Sequence, residues 1–301
     1  MHAIPDNFAR LTAEVHGAAG VAWLAALPGL LADCERRWGL RVGPPFALSY
    51  NYVAPAVRAD GSEVVLKLGV PQRELLSETA ALQVYAGRGS VQLLAADPAR
   101  GILLLERLWP GTPLVELADD AATAIAAQVM RELWQPVPAQ HAFRTVGDWA
   151  AGLGKLRARF GGGTGPLPAR LVALAEGLFA ELLPAQAAPV VLHGDLHHWN
   201  IVAAQRRPWL ALDPKGILGE PAYEVGAWLR NPLPGLLAQP DPARLQARRV
   251  AQFAEVLELD RRRLAAWGVA QAVLSAWWSI EDHGHGGADA LTCAELLLPL
   301  L

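Results

Sequence analysis

Apolar positions recur at helical spacing from residue 8 to about 39. The pattern is interrupted near Gly17–Gly20 and again at Pro28, so two helices are predicted there. After Gly43-Pro44-Pro45 the period shortens. Residues 46–57 and 63–70 are rich in Val, Leu and Tyr, and Arg58-Ala-Asp-Gly61 between them has hairpin-turn chemistry. A helix is predicted over about 71–86, opened by Pro71 in its first turn. Its apolar stripe is Leu75, Leu82, Tyr85 and Ala86, completed by the methyl of Thr79. Residues 91–94 and 101–108 read as two more strands, and beyond Trp109-Pro110-Gly111 the chain is mostly helical to its end. The glycine-rich run over 161–165 interrupts it as a loop; with no strand leading in, it does not read as a phosphate cradle. A strand-rich segment thus precedes a helix-rich one. An α+β protein of two lobes is expected, the first over residues 1–107 with N-terminal helices and a sheet, the second over 108–301, with a cleft between them.

The helical pattern of the second segment breaks once. Residues 189–192 form a short predicted strand leading into His193-Gly-Asp-Leu-His-His-Trp-Asn200. Two further strands, 201–204 and 209–212, flank Gln205-Arg-Arg-Pro208, taken as a four-residue turn. That register sets 204 opposite 209 and 200 opposite 213. Asn200 and Asp213 would then sit side by side, with Cβ atoms ~5 Å apart, near enough to share one cation.

Composition narrows the classes. Of 301 residues 52% are hydrophobic and 18% charged, enough for a sizeable core. A net charge of −3 and a pI near 6.2 argue against a nucleic-acid surface. Only Cys34 and Cys293 are present, which disfavours a disulfide framework or a thiolate zinc site and fits a reducing, cytoplasmic setting. The N-terminus lacks a signal-peptide pattern, and the apolar run Val21–Cys34 contains Pro28 and meets Asp33 too soon to span a bilayer. A soluble monomer or homodimer that touches neither membrane nor nucleic acid is expected. Only three of the 26 basic residues are lysine (Lys67, Lys155, Lys215), and asparagine occurs only at 7, 51, 200 and 231. A GC-rich genome explains the bias, and it marks those positions for attention.

The three histidines of 193–200 invite a zinc reading, because His193 and His197 are four apart. A helix there is disfavoured by Gly194 directly after a strand, and the Glu such a motif places beside its first His is absent. Oxygen chemistry suits the residues better. A carboxylate and an amide carbonyl fit Mg²⁺, which takes oxygen ligands and keeps waters and phosphates. Asn200 and Asp213 would be the ligands, leaving Asp195 to accept a proton from an attacking hydroxyl. The spacing D-x-x-x-x-N followed by a metal-binding Asp is what phosphoryl transfer in the kinase manner needs. Such chemistry also needs a strand lysine on the phosphates of ATP, steadied by a helical glutamate. Lys67 lies in the otherwise apolar Val64-Val-Leu-Lys-Leu68, and the following helix offers Glu74 and Glu78 on one face. A lysine snorkelling from a strand edge is the plainer alternative.

These stretches, with VHGAAGVAWLAALPGLL, LLLERL, LDPKGILGEPAYEVGAWLRNP and VLSAWWSIEDHG, resemble the aminoglycoside phosphotransferase family, in particular its aminoglycoside/hydroxyurea resistance kinases. The resemblance covers nearly the whole chain. It implies a bilobal protein-kinase-like fold, ATP with Mg²⁺, and transfer of the γ-phosphoryl to a hydroxyl of a small molecule, streptomycin or a related aminocyclitol. It implies Asp195 as base, Asn200 and Asp213 as metal ligands, Lys67 on phosphate and Glu78 as its partner. Glu106 and Leu108 belong to the stretch that meets the adenine edge. The loop over the phosphates, Leu48-Ser-Tyr-Asn-Tyr-Val53, has no glycine, so that approach falls to Ser49–Asn51. Glu224 stands where the wider superfamily tends to have Asp, and is read as structural. For a polycationic acceptor, Trp278, Glu281 and Asp282 near the end of the predicted last long helix offer an aromatic face and charge; Asp195 would meet its hydroxyl. A kinase for a metabolic sugar or amino alcohol is the second expectation, and a nucleotide-binding pseudokinase a third. Lys215, Arg230 and Asn231 receive no role.

Overall fold

In the computed structural model, which describes residues 4–301, the first helix (α1, Asp6–Trp38) runs through Pro28 without a break. The expected interruption occurs only at Gly17, whose φ of +56° and ψ of −135° fold the helix across itself. The two arms then touch closely: a Cβ on Gly20 would lie 2.4 Å from the Thr12 carbonyl oxygen. Pro28 is tolerated because its exposed ring faces away while Leu27 and Leu31 are buried on either side of it. That burial offsets a helix-interior proline cost of about 3 kcal/mol. By length and composition alone the span Asp6–Trp38 is apolar enough to cross a membrane, with a window of mean hydropathy 1.5, of which 22% is buried; the fold-back at Gly17 interrupts it.

Two units divide the chain. One ends at Gly87 and takes in Val91–Trp109; the other takes in Arg88–Ser90 and Pro110–Leu301. In the first, α1 is followed by β1 (Leu40–Val42), β2 (Tyr52–Arg58), β3 (Glu63–Leu68), α2 (Arg73–Tyr85), β4 (Leu93–Asp97) and β5 (Ile102–Glu106). The antiparallel sheet has the order β1-β2-β3-β5-β4. Strand alternation decides its faces. Val64, Leu66 and Leu68 of β3 join Tyr52, Ala54, Ile102 and Leu104 in the core with Phe8, Trp23, Leu27 and Leu31 of α1. Lys67 therefore points to the opposite face. The strand expected over 46–57 begins only at Tyr52, because Phe46 turns back to donate its N–H to Val53 O at 2.9 Å. β4 lies two to three residues later than expected, and β1 was not anticipated; three residues carry no readable period.

The second unit begins with α3 (Asp119–Leu133), the two-residue strands β6 (Gln135–Pro136) and β7 (Arg144–Thr145), α4 (Val146–Ala150), α5 (Gly152–Arg159) and α6 (Ala169–Leu182). Then come β8 (Val190–Leu192), β9 (Ile201–Ala203), β10 (Trp209–Ala211) and β11 (Ile217–Gly219), followed by α7 (Pro221–Leu229), α8 (Pro242–Leu257), α9 (Arg261–His283) and α10 (Ala288–Leu297). β9 and β10 form a hairpin, and β6-β8-β11-β7 a small sheet. Every residue of α7 from Ala222 to Leu229 is buried, so this helix is the centre of the unit's core.

The hairpin corrects one expectation. Trp209 pairs with Ala203, Leu210 with Val202 and Ala211 with Ile201, one residue away from the anticipated register. The reason is Pro208. Counted as part of the turn, it instead accepts a hydrogen bond from Ala204 N at 3.1 Å, a ladder role that needs only its carbonyl. The connection is thus three residues, and Asn200 faces Leu212, whose N–H donates to Asn200 O at 2.8 Å. Asp213 is not opposite Asn200. It lies one position beyond the ladder and turns the chain there with φ of +60°.

Candidate active site

Asp195 sits in the connection between β8 and β9, on a loop held from three sides. From below, Glu224 of α7 accepts the His193 N–H at 2.6 Å and the Gly194 N–H at 2.8 Å, one on each carboxyl oxygen. Burial pushes the Glu224 carboxyl up to about 7, against the two N–H donors that favour its charge. From the side, the His193 ring accepts from Asp195 N at 3.2 Å through Nδ1, so Nε2 carries the proton and donates to Leu212 O at 2.7 Å. Fully buried, His193 is driven down to about 4 and is neutral. Lys215 N donates to His193 O at 2.8 Å, tying the turn before β11 to the same residue. Within the loop, Asn200 Nδ2 donates to Asp195 O at 2.9 Å.

Gly194 is required by shape. Its φ is +84°, and a Cβ there would lie 2.9 Å from Ile217 Cγ2 and 3.0 Å from Trp149 Cη2. Trp149, in α4, therefore rests its ring edge on the backbone next to Asp195. Its ring meets Trp278 of α9 in a T-shaped contact at 5.1 Å. Both rings are half-buried. Trp277, by contrast, is 1% exposed and part of the core. Glu281 lies 3.5 Å from Lys155 Nζ, and Asp282 is exposed.

The Asp195 carboxylate is met by Arg230, whose Nη2 donates to Oδ1 at 2.8 Å, while His197 Nε2 lies 3.7 Å from Oδ2. Burial alone would raise this carboxyl; Arg230, then His197, Lys215 and His193, outweigh it and hold it below its ordinary value. His197 is lowered, chiefly by burial. His198 turns the other way. It stacks on Trp228 at 3.6 Å, its Nε2 is 3.2 Å from Arg249 and 4.0 Å from Asp119, and burial takes it down to about 4. Asp119, His198 and Arg249 line a cavity of about 720 Å³ beside the start of α8; of residues 193–200, His198 alone lines it.

With Nδ2 of Asn200 committed to the loop, the amide oxygen remains as a hard ligand, and the Asp213 carboxylate, half-buried with Lys215 Nζ at 3.9 Å, is the second. The donor types fit Mg²⁺. Among the described residues no group of three or more His, Cys, Asp or Glu side chains could hold a metal ion.

In the first unit Lys67 and Glu78 form an ion pair at 2.6 Å, both nearly buried. Glu106 donates its N–H to Gln92 O at 2.9 Å and accepts from Gln92 N at 3.1 Å through its carboxylate, so any adenine contact by Glu106 falls to its carbonyl. The Leu108 side chain is buried and Ser49 is exposed. Sequence reasoning missed Arg230 and Trp149. They lie 35 and 46 positions from Asp195, and no local pattern links them to it.

A sequence profile described as aminoglycoside/hydroxyurea antibiotic resistance kinase matches residues 41–283. A streptomycin 6-kinase of Streptomyces glaucescens is 36% identical over 98% of this chain and 96% of its own. A hydroxyurea phosphotransferase of Kitasatospora aureofaciens is 37% identical over 93% of this chain and 81% of its own. Among solved structures, an aminoglycoside phosphotransferase crystallised with ADP and hygromycin B superposes with a TM-score of 0.64 at 14% identity, covering 91% of this chain and 97% of that one. A choline kinase from Streptococcus pneumoniae gives 0.62 at 13% identity, over 91% and 99%. The fold is protein-kinase-like, with a strand-rich and a mostly helical unit.

Proposed function

The chain belongs to the aminoglycoside/hydroxyurea antibiotic resistance kinase family, a family of phosphotransferases, and from that premise we propose an ATP- and Mg²⁺-dependent O-phosphotransferase acting on streptomycin or a related aminocyclitol. The observation that carries this reading is the loop 193–200. Its backbone is fixed through Glu224 and His193, it presents the Asp195 carboxylate ionised, and it keeps the Asn200 amide oxygen as a ligand.

In the reaction, the acceptor hydroxyl oxygen forms a bond to the γ-phosphorus of ATP and its proton passes to Asp195. The bond from γ-phosphorus to the bridging oxygen breaks, and ADP leaves with that electron pair. Asp195 orients the hydroxyl and takes its proton, a contribution of about 10²–10⁴-fold. Lys67 holds nucleotide phosphate, fixed by Glu78; Ser49 approaches the phosphates, and the Glu106 carbonyl and Leu108 meet the adenine. When bound, Mg²⁺ supplies positive charge against the phosphate oxygens, and Asn200 and Asp213 are the residues that would hold it. On the acceptor side, Trp149 and Trp278 give a ring face beside the base, and Glu281 and Asp282 give negative charge for a cationic substituent.

The test is ADP release with purified protein, ATP, Mg²⁺ and a panel of streptomycin, other aminoglycosides and hydroxyurea. Streptomycin-dependent release is expected, abolished in Asp195→Asn while nucleotide binding persists. Turnover by Asp195→Asn would remove Asp195 from the role of base. Release with hydroxyurea alone would move the acceptor to the second named relative, and binding without any turnover would favour a pseudokinase.

A further inference from the structure

Arg230 was given no role by its position in the chain, yet it makes the only hydrogen bond to the Asp195 carboxylate among the described residues. It caps the C-terminal end of α7, the helix whose Glu224 already holds the His193 and Gly194 amides. One helix thus reaches the loop twice, at its backbone through Glu224 and at its reactive side chain through Arg230. The helix end is fixed in turn. Arg249 of α8, 1% exposed, donates to Asn231 O at 2.7 Å and to Trp228 O at 3.4 Å, and Gln246 donates to Leu229 O.

The contact itself is one-sided. An arginine paired with a carboxylate for stability tends to use its fork, two parallel N–H bonds to both oxygens. Here only Nη2 is used, on Oδ1 alone, and the Nε–H is buried without a partner. Leaving a buried donor unmade is costly, so stability alone gives a poor account of this arrangement. It does one thing a fork would not: it fixes the carboxylate through Oδ1 and keeps Oδ2 open. No donor of the described residues lies within hydrogen-bond distance of Oδ2; His197 Nε2 stops at 3.7 Å.

We propose that Arg230 is a positioning residue, which clamps Asp195 through Oδ1 so that Oδ2 is presented to the acceptor hydroxyl. The inference rests on the assignment of Asp195 as base. Arg230 touches neither substrate nor phosphate in this account and works wholly through the carboxylate; its charge also keeps the carboxylate ionised beside the neutral histidines.

Two measurements test it. In steady-state kinetics, Arg230→Ala should lower kcat about 10²-fold, with KM for ATP and acceptor within about threefold, and added guanidinium ion should restore part of the loss. Arg230→Lys should fall between, since an ammonium supplies charge without the planar reach. An unchanged kcat, a change in KM alone, or a loss that guanidinium leaves untouched would overturn the clamp. Crystal structures of wild type and Arg230→Ala form the second arm, which needs no turnover. The Asp195 carboxylate should rotate or split into conformers when the arginine is removed; a carboxylate that keeps its orientation refutes the proposal. If wild type transfers phosphate to no acceptor, the kinase reading fails while the second arm still decides whether Arg230 orients Asp195.

Discussion

Lys67 and Glu78, 2.6 Å apart, are each less than a tenth exposed, so neither charge has much water to fall back on. Removing one partner takes this counter-charge away from a buried group, at a cost of about 3–5 kcal/mol, whereas apolar replacement of both is often near neutral. Lys67→Met alone should therefore lower the unfolding free energy by that amount in urea titration, and Lys67→Met with Glu78→Leu should recover most of it. A single substitution costing less than 1 kcal/mol would mean the pair is solvated. Trp149 offers a second residue-scale outcome. Trp149→Ala removes a ring that leans on Gly194 and Trp278, and it should raise the acceptor KM about tenfold while leaving KM for ATP unchanged. The pairing of Lys67 with a helical glutamate was legible because the chemistry demands it in chain order. Arg230 and Trp149 were not, because contacts between residues so far apart arise from packing, which a single sequence does not print.

At the scale of elements, the β9–β10 hairpin shows how much depends on one residue of register. One residue assigned to the turn instead of the ladder moved Asp213 from beside Asn200 to the residue beyond the last pair, since side chains alternate with a period of two. The strands themselves were readable, because their apolar runs and the Gln-Arg-Arg-Pro break are local. The register was not, because Pro208 works in the ladder through a carbonyl that every residue possesses. α1 erred in the other direction: a proline that would stop an isolated helix is overridden by Leu27 and Leu31 in the core. α7 supplies the element-scale prediction. Glu224 accepts two backbone donors with two oxygens, and an amide offers only one acceptor. Glu224→Gln should cost about 1–3 kcal/mol in thermal or urea unfolding and lower kcat as the loop loosens. An unaltered melting curve would show that the two N–H groups find other partners.

For the whole molecule, buried titratable groups set the acid limb of stability. His193 and His198 are held at about 4 instead of 6.5. Below pH 6.5 the unfolded chain takes up protons that the folded chain refuses, so this stability is full above 6.5 and declines as pH falls towards 4, by at most about 3 kcal/mol per histidine. Glu224, raised from 4.5 to about 7, runs the opposite way: its contribution is full below 4.5 and is lost as pH climbs to 7. Two groups oppose one, so the urea midpoint should be lower at pH 5 than at pH 7, and His193→Gln should flatten the difference; a higher midpoint at pH 5 contradicts these protonation states. The two-unit composition was readable at this scale because the hydrophobic period itself changes, whereas the small sheet of two- and three-residue strands beneath the loop was not. The proposed base and the proposed acceptor wall share their supports. Glu224 of α7 and Arg230 at its end hold Asp195, while Trp149 of α4 meets Trp278 of α9, Tyr223 of α7 and the backbone at Gly194. A change in that wall is therefore felt at the loop beside it. A lineage drifting towards a different acceptor would have to accommodate each new wall residue at α7 as well, which ties the breadth of its substrates to the steadiness of its loop.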